Sequence, residues 1–76
     1  MGIWCVKVHQ TGLSRNGIPD LICCHNGRLI AMEVKRPGET QTPLQKFEQE
    51  KIRKSGGVCE VVTSLEDVLL LLRGGA

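Results

Sequence analysis

The sequence predicts a small α/β domain, a mixed sheet of about four strands with two helices in the order βββαβα. Three observations lead there. Asn26-Gly27 separates two β-rich apolar runs, Leu21–His25 and Arg28–Val34, and Asn-Gly in that position signals a hairpin because both turn residues need positive φ. Thr42-Pro43-Leu44-Gln45 follows a Pro-Gly break and reads as a helix start, with Thr at the N-cap, Pro at the first helical position and Gln at the third. A further β-rich run, Val58–Val62, comes after Gly56-Gly57 and leads into a leucine stripe capped by Ser64.

The elements follow in order. Ile3 to Val8 is β-branched and aromatic enough for a first strand, and a polar, glycine-containing loop then runs from Gly12 to Gly17. Lys7 and His9 share one face of that strand; His9 reads as an exposed residue at its end. If Asn26-Gly27 is the whole hairpin loop, His25 faces Arg28 and Asp20 faces Glu33. Both faces of the hairpin strands are apolar, with Leu21, Cys23, Ile30, Met32 and Val34 on one side and Ile22, Cys24, Leu29 and Ala31 on the other. Such strands are covered on both faces. Arg36 to Gln41 is a loop. The helix from Thr42 should reach about Ser55, stopped by Gly56-Gly57, with a thin apolar face of Leu44, Phe47 and Ile52. Its cations Lys46, Lys51, Arg53 and Lys54 are balanced by Glu48 and Glu50, as on a solvated face. Val58 returns parallel through a β-α-β crossover. Leu65, Val68, Leu69 and Leu72 form the stripe of a last helix, widened by Leu70 and Leu71, with Glu66 and Asp67 in its first turn.

Composition sets the bounds. The 76 residues make one domain, 1–76, with a core near the lower limit for independent folding. A net charge of +2 is compatible with a polyanion partner without demanding one. No apolar run could span a bilayer and no leader layout is visible, so a cytoplasmic protein is expected, in a bacterium or encoded by a phage within one. Cys5, Cys23, Cys24 and Cys59 include no Cys-x-x-Cys pair. All lie in apolar strand-like runs, where free cysteine is a common small core residue, and core thiols are expected.

The chemistry gathers at one end of the hairpin. Asp20 and Glu33 converge from adjacent strands, and Lys35, two residues beyond Glu33, points to the same face. Opposed carboxylates repel, so two acids with an ammonium beside them suggest a divalent-metal site next to a group that handles water or phosphate. Gly17-x-Pro19-Asp20, Glu33-x-Lys35 and Gln45 opening a helix together resemble the PD-(D/E)xK nuclease superfamily, and within it the VRR-NUC domain, over roughly Lys7 to Val62. Archaeal-type Holliday-junction resolvases have a similar layout.

The resemblance implies a restriction-endonuclease-like fold and a metal-dependent DNA endonuclease. Asp20, Glu33, Lys35 and Gln45 would be catalytic. Asp20, Glu33 and the carbonyl of Val34 would hold Mg2+ or Mn2+. Lys7, Arg15 and Arg36 would grip the DNA backbone. Gln45 has two readings, capping-box residue and active-site residue, and the second is preferred. No element resembles a base-reading module, so branched DNA or Holliday junctions are expected over a sequence-specific target, with no small-molecule cofactor and no membrane partner. Family members usually carry an N-terminal helix with another acidic residue before the first strand, and this chain begins almost directly on that strand. One face of a doubly apolar sheet then lacks its cover, which predicts completion by a homodimer. The rival reading is a non-catalytic, nuclease-like module that binds nucleic acid or protein.

Overall fold

The structure, a computed structural model, describes residues 2–8 and 17–74. It contains β1 (Trp4–Lys7), β2 (Leu21–His25), β3 (Arg28–Val34), α1 (Pro43–Lys54), β4 (Val58–Val62) and α2 (Leu65–Leu72), the expected order. The four strands form one sheet in the order β1-β2-β3-β4. The first three make an antiparallel meander and β4 runs parallel to β3, because a parallel return needs the crossover that α1 supplies.

The hairpin register is the one the two-residue loop dictates. His25 pairs with Arg28 and Leu21 with Met32, and Asn26 and Gly27 have φ values of 53° and 74°. Register partners share a sheet face. Trp4, Val6, Ile22, Cys24, Leu29, Ala31, Glu33, Cys59 and Val61 therefore lie on one face, and α1 packs there. The other face carries Cys23, Ile30, Met32 and Val62, closed by Leu71 of α2 with Leu21, Val58, Val68 and Leu72 around them. Ser64 caps α2 through the Asp67 N–H.

Two expectations are corrected. The first concerns α1. Leu44 and Phe47 are exposed, whereas Glu48 and Gln49 are buried and Ile52 is half-buried. Polar groups dock this helix: Gln45 donates to Glu33, Gln49 Nε2 donates to Gln41 Oε1, and Arg53 donates from Nε and Nη2 to the Cys59 carbonyl. Buried polar groups hold a position only when they find such partners, and here the partners lie under the helix. Arg53 also pairs with Glu50 at 3.0 Å, as a balanced surface would have it.

The second concerns the cysteines. Cys5 and Cys23 form a disulfide between β1 and β2. They are direct register partners. Val8 N–H bonds Asp20 O at one end of this ladder, and counting inward by alternation makes Cys5–Cys23 a non-hydrogen-bonded pair, the kind whose side chains lie closest. Their Cα atoms are 4.0 Å apart. Cys59 is the buried thiol expected of it, and Cys24 is free and exposed.

Candidate active site

The site forms where β2 begins, β3 ends and α1 starts. Gly17 makes that junction possible. Its φ is 84°, and a Cβ there would lie 2.6 Å from the Leu44 carbonyl oxygen, inside van der Waals contact. Only glycine lets the chain cross the first turn of α1 so closely. Pro19 is buried immediately afterwards, and Asp20 emerges beside the end of β3. The Asp20 Oδ2 atom accepts from the Val34 N–H at 2.8 Å, which fixes the carboxylate against β3.

Glu33 stands next to it, only 2 % exposed. Its Oε1 accepts from Gln45 Nε2 at 2.9 Å. Its Oε2 is the only buried side-chain oxygen or nitrogen among the described residues without a hydrogen-bond partner. Burial pushes the Glu33 carboxyl up to about 7, the nearby Asp20 carboxylate adds to the rise, and the Lys35 charge works against it. A carboxyl taken from water and faced with a second negative charge holds its proton more tightly.

Gln45 completes the cap of α1 and also reaches Glu33. Its backbone N–H donates to Thr42 Oγ1 at 3.1 Å, and its Oε1 accepts from the Thr42 N–H at 2.9 Å, completing a capping box. The amide nitrogen is left for Glu33. Exchanging the amide oxygen and nitrogen would set donor against donor at Thr42, so the hydrogen-bond pattern fixes the orientation.

The structure brings together Asp20, Glu33, Gln45 and the Val34 backbone, with the Lys35 charge acting on Glu33. Arg36 is exposed in the following loop, where its N–H donates to Glu39 Oε1. Lys7 is not brought in. It pairs with Leu21, and so points to the α2 face, away from the carboxylates. Arg15 and His9 lie outside the described residues. Sequence reasoning missed Gln49 and Gln41, whose hydrogen bond ties the loop after Lys35 to the buried side of α1. The available signal was spacing: Gln45 and Gln49 are four apart and share a helix face.

The donor set fits a hard divalent cation. Asp20 and Glu33 offer carboxylate oxygens, the ligands such ions prefer, and the unpartnered Glu33 Oε2 is a buried acceptor that a cation would satisfy. Among the described residues no group of three or more His, Cys, Asp or Glu side chains gathers into a metal-binding cluster, so two side chains would carry the site. Among the described residues no helix is long and apolar enough to cross a membrane. No protein-family model matches the chain, and it has no match among curated proteins or solved structures.

Proposed function

We propose that this protein is a Mg2+- or Mn2+-dependent endonuclease that hydrolyses phosphodiester bonds in DNA, on a restriction-endonuclease-like fold of the VRR-NUC kind, in the cytoplasm. One observation carries the reading: Glu33 is buried beside a second carboxylate with Oε2 unpartnered. A fold tolerates that arrangement at a cost, and a cation-binding site is where the cost has a use.

Asp20, Glu33 and the Val34 carbonyl would hold the cation. When bound, the cation polarises the scissile phosphate and lowers the pKa of a water. Gln45 holds Glu33 by Oε1, leaving Oε2 as the oxygen that would serve the cation. The Val34 N–H does the same for one oxygen of Asp20, leaving the other. Lys35 positions the attacking water and offsets negative charge that develops on the phosphate. Arg36 and Arg15 grip the strand backbone, which aligns DNA without reading its sequence. Lys7, on the opposite face, serves only an arm of substrate that passes around β1. With no base-reading element among the described residues, the substrate is a structure, branched DNA or a Holliday junction, and not a sequence.

A second copy of the chain completes the assembly. Leu65, Leu69 and Leu70 of α2 are 72 %, 44 % and 56 % exposed, and Ile3, which lines one depression with Leu69, is 48 % exposed. Contiguous apolar surface of that kind favours a homodimer interface. The rival reading, a nuclease-like module without catalysis, draws on the two-carboxylate donor set. The deciding experiment is cleavage of branched and linear DNA with Mg2+ and with EDTA, using wild type, Asp20→Asn, Glu33→Gln and Lys35→Ala. Metal-dependent cutting that each substitution abolishes supports the endonuclease. No cutting on any substrate, or full activity in any of the three variants, overturns it.

A further inference from the structure

The chain has one tryptophan, one phenylalanine and no tyrosine. Aromatic side chains contribute the most burial per residue to a small core, yet this core uses neither. Trp4 is 60 % exposed and Phe47 is 57 % exposed. Both lie on the side of the sheet that carries the active site. Trp4 pairs with Cys24, which pairs with Leu29, and Leu29 stands four residues from Glu33 on the same strand face. α1 covers this face only over β3 and β4, leaving Trp4, Val6 and Cys24 open above β1 and β2.

The helix supplies the wall of that open half. Leu44, Phe47 and Lys51 are three and four apart and share one stripe. Lys51 borders the depression above Leu29 and Gly27, which puts the stripe on the side of α1 toward β2 and β1. The Lys51 ammonium lies 5.2 Å from the centre of the Phe47 ring. The last turn of α1 is basic and its first turn has no acid. Exposed aromatics with Lys51 at the rim suit a strand that carries bases and phosphates together, and Glu48, which borders the same depression, is buried. They suit a second protein copy less well, since protein interface centres are depleted of charge.

The floor runs into the active site. Trp4 is four residues before Val8, whose N–H bonds Asp20 O at 2.8 Å. At about 3.4 Å per residue that path is roughly 14 Å long, the length of about four stacked bases on one strand.

We propose that the open half of this face binds unpaired nucleotides of a DNA strand, with Trp4 and Phe47 stacking on bases and Lys51 meeting a phosphate, so that the strand leads to the Asp20–Glu33 pair. This rests on the nuclease reading for its choice of DNA and its direction. It narrows the substrate to DNA with a single-stranded segment a few nucleotides from the cut.

Trp4 is the only tryptophan, so its emission reports on the surface directly. The experiment titrates wild type with an oligothymidylate, and separately with a blunt duplex of the same length, in EDTA so that nothing is cut. Emission should change saturably with the oligothymidylate and not with the duplex. Phe47→Leu, at an exposed side chain that the fold does not need, should weaken the oligothymidylate by roughly tenfold, the scale of one lost base-aromatic stack. Unchanged Trp4 emission with the oligothymidylate, or equal response to duplex, overturns the proposal. Failure of the nuclease reading would show separately, as absence of Mg2+-dependent cutting while the EDTA titration keeps its form.

Discussion

Gln45 donates from Nε2 to Glu33 Oε1 at 2.9 Å while its Oε1 accepts from the Thr42 N–H. One side chain thus caps α1 and holds the Glu33 carboxylate of the candidate site, so the start of the helix and the position of that carboxylate are set by the same amide.

The two roles can be separated by substitution. Thr42→Ala removes the cap acceptor for the Gln45 N–H and leaves the Glu33 contact, so it should lower stability by about 1 kcal/mol with little change in cleavage per folded molecule. Gln45→Glu keeps an acceptor for Thr42 but turns the donor facing Glu33 into a carboxylate. It should lower cleavage by roughly tenfold or more, since a charge-assisted hydrogen bond is replaced by repulsion. Melting curves and initial rates for the pair decide it. Equal loss of cleavage in both variants would mean that the amide acts only through the helix.

Glu33 makes stability depend on pH in a direction opposite to ordinary paired carboxylates. Its carboxyl is pushed from 4.5 to about 7 by burial and by Asp20, so the folded protein binds this proton more tightly than the unfolded chain does. The stability gained is complete below the unfolded value and is lost as pH rises through 7. The full change is on the order of 3 kcal/mol. In EDTA the wild type should melt higher at pH 5 than at pH 8, and Glu33→Gln should flatten that difference. Mg2+ affinity should run the other way, rising to about neutral pH and then levelling, because the ion competes with the proton. An undiminished difference in Glu33→Gln would assign the titration to another group.

Gly17 tests how the loop before β2 positions Asp20. Gly17→Ala meets two penalties, a backbone at φ 84° and a Cβ 2.6 Å from the Leu44 carbonyl oxygen. Gly56→Ala is the control, with φ 97° and nothing within 4 Å. The control should lose only the strain of a left-handed residue, about 1–2 kcal/mol. Gly17→Ala should lose clearly more, and its cleavage should fall with it as Asp20 is displaced. Equal melting temperatures in the two variants would show that the close crossing at α1 does not constrain the site.

Much of this was legible in the sequence where one local rule decides the outcome. The Asn26-Gly27 turn fixed the pairing of β2 with β3, and from that alone Asp20 was set against Glu33. Thr42-Pro43 fixed where α1 begins. Legibility failed where partners are distant along the chain. No short turn ties β1 to β2, so the register that sets Cys5 against Cys23 could not be counted from a loop. On α1 the apolar pattern pointed the wrong way, because Gln45, Gln49 and Arg53 find hydrogen-bond partners that only the folded sheet supplies. The exposure of Leu44 and Phe47 follows from that docking.

Asp20→Asn tests the paired carboxylates in both metal states. Without metal, the Asp20 charge opposes ionisation of Glu33, and the pair should cost about 0.2–1 kcal/mol at pH 8, the scale of cross-strand pair interactions. Asparagine removes that charge and keeps the shape. Its side-chain oxygen can still accept from the Val34 N–H, the contact that Asp20 Oδ2 makes at 2.8 Å. In EDTA at pH 8 the variant should therefore be at least as stable as wild type. Mg2+ should reverse the order, because ligation stabilises only the protein that binds it, by about 2.7 kcal/mol at a hundredfold excess over the dissociation constant. For a domain of this size that is a rise of roughly 10–20 °C in wild type alone. The measurement is a pair of melting curves for each protein, with EDTA and with millimolar Mg2+. A variant that melts well below wild type in EDTA would make Asp20 a structural acceptor for β3, with no part for repulsion, and a wild type that Mg2+ does not stabilise would remove the cation from the site.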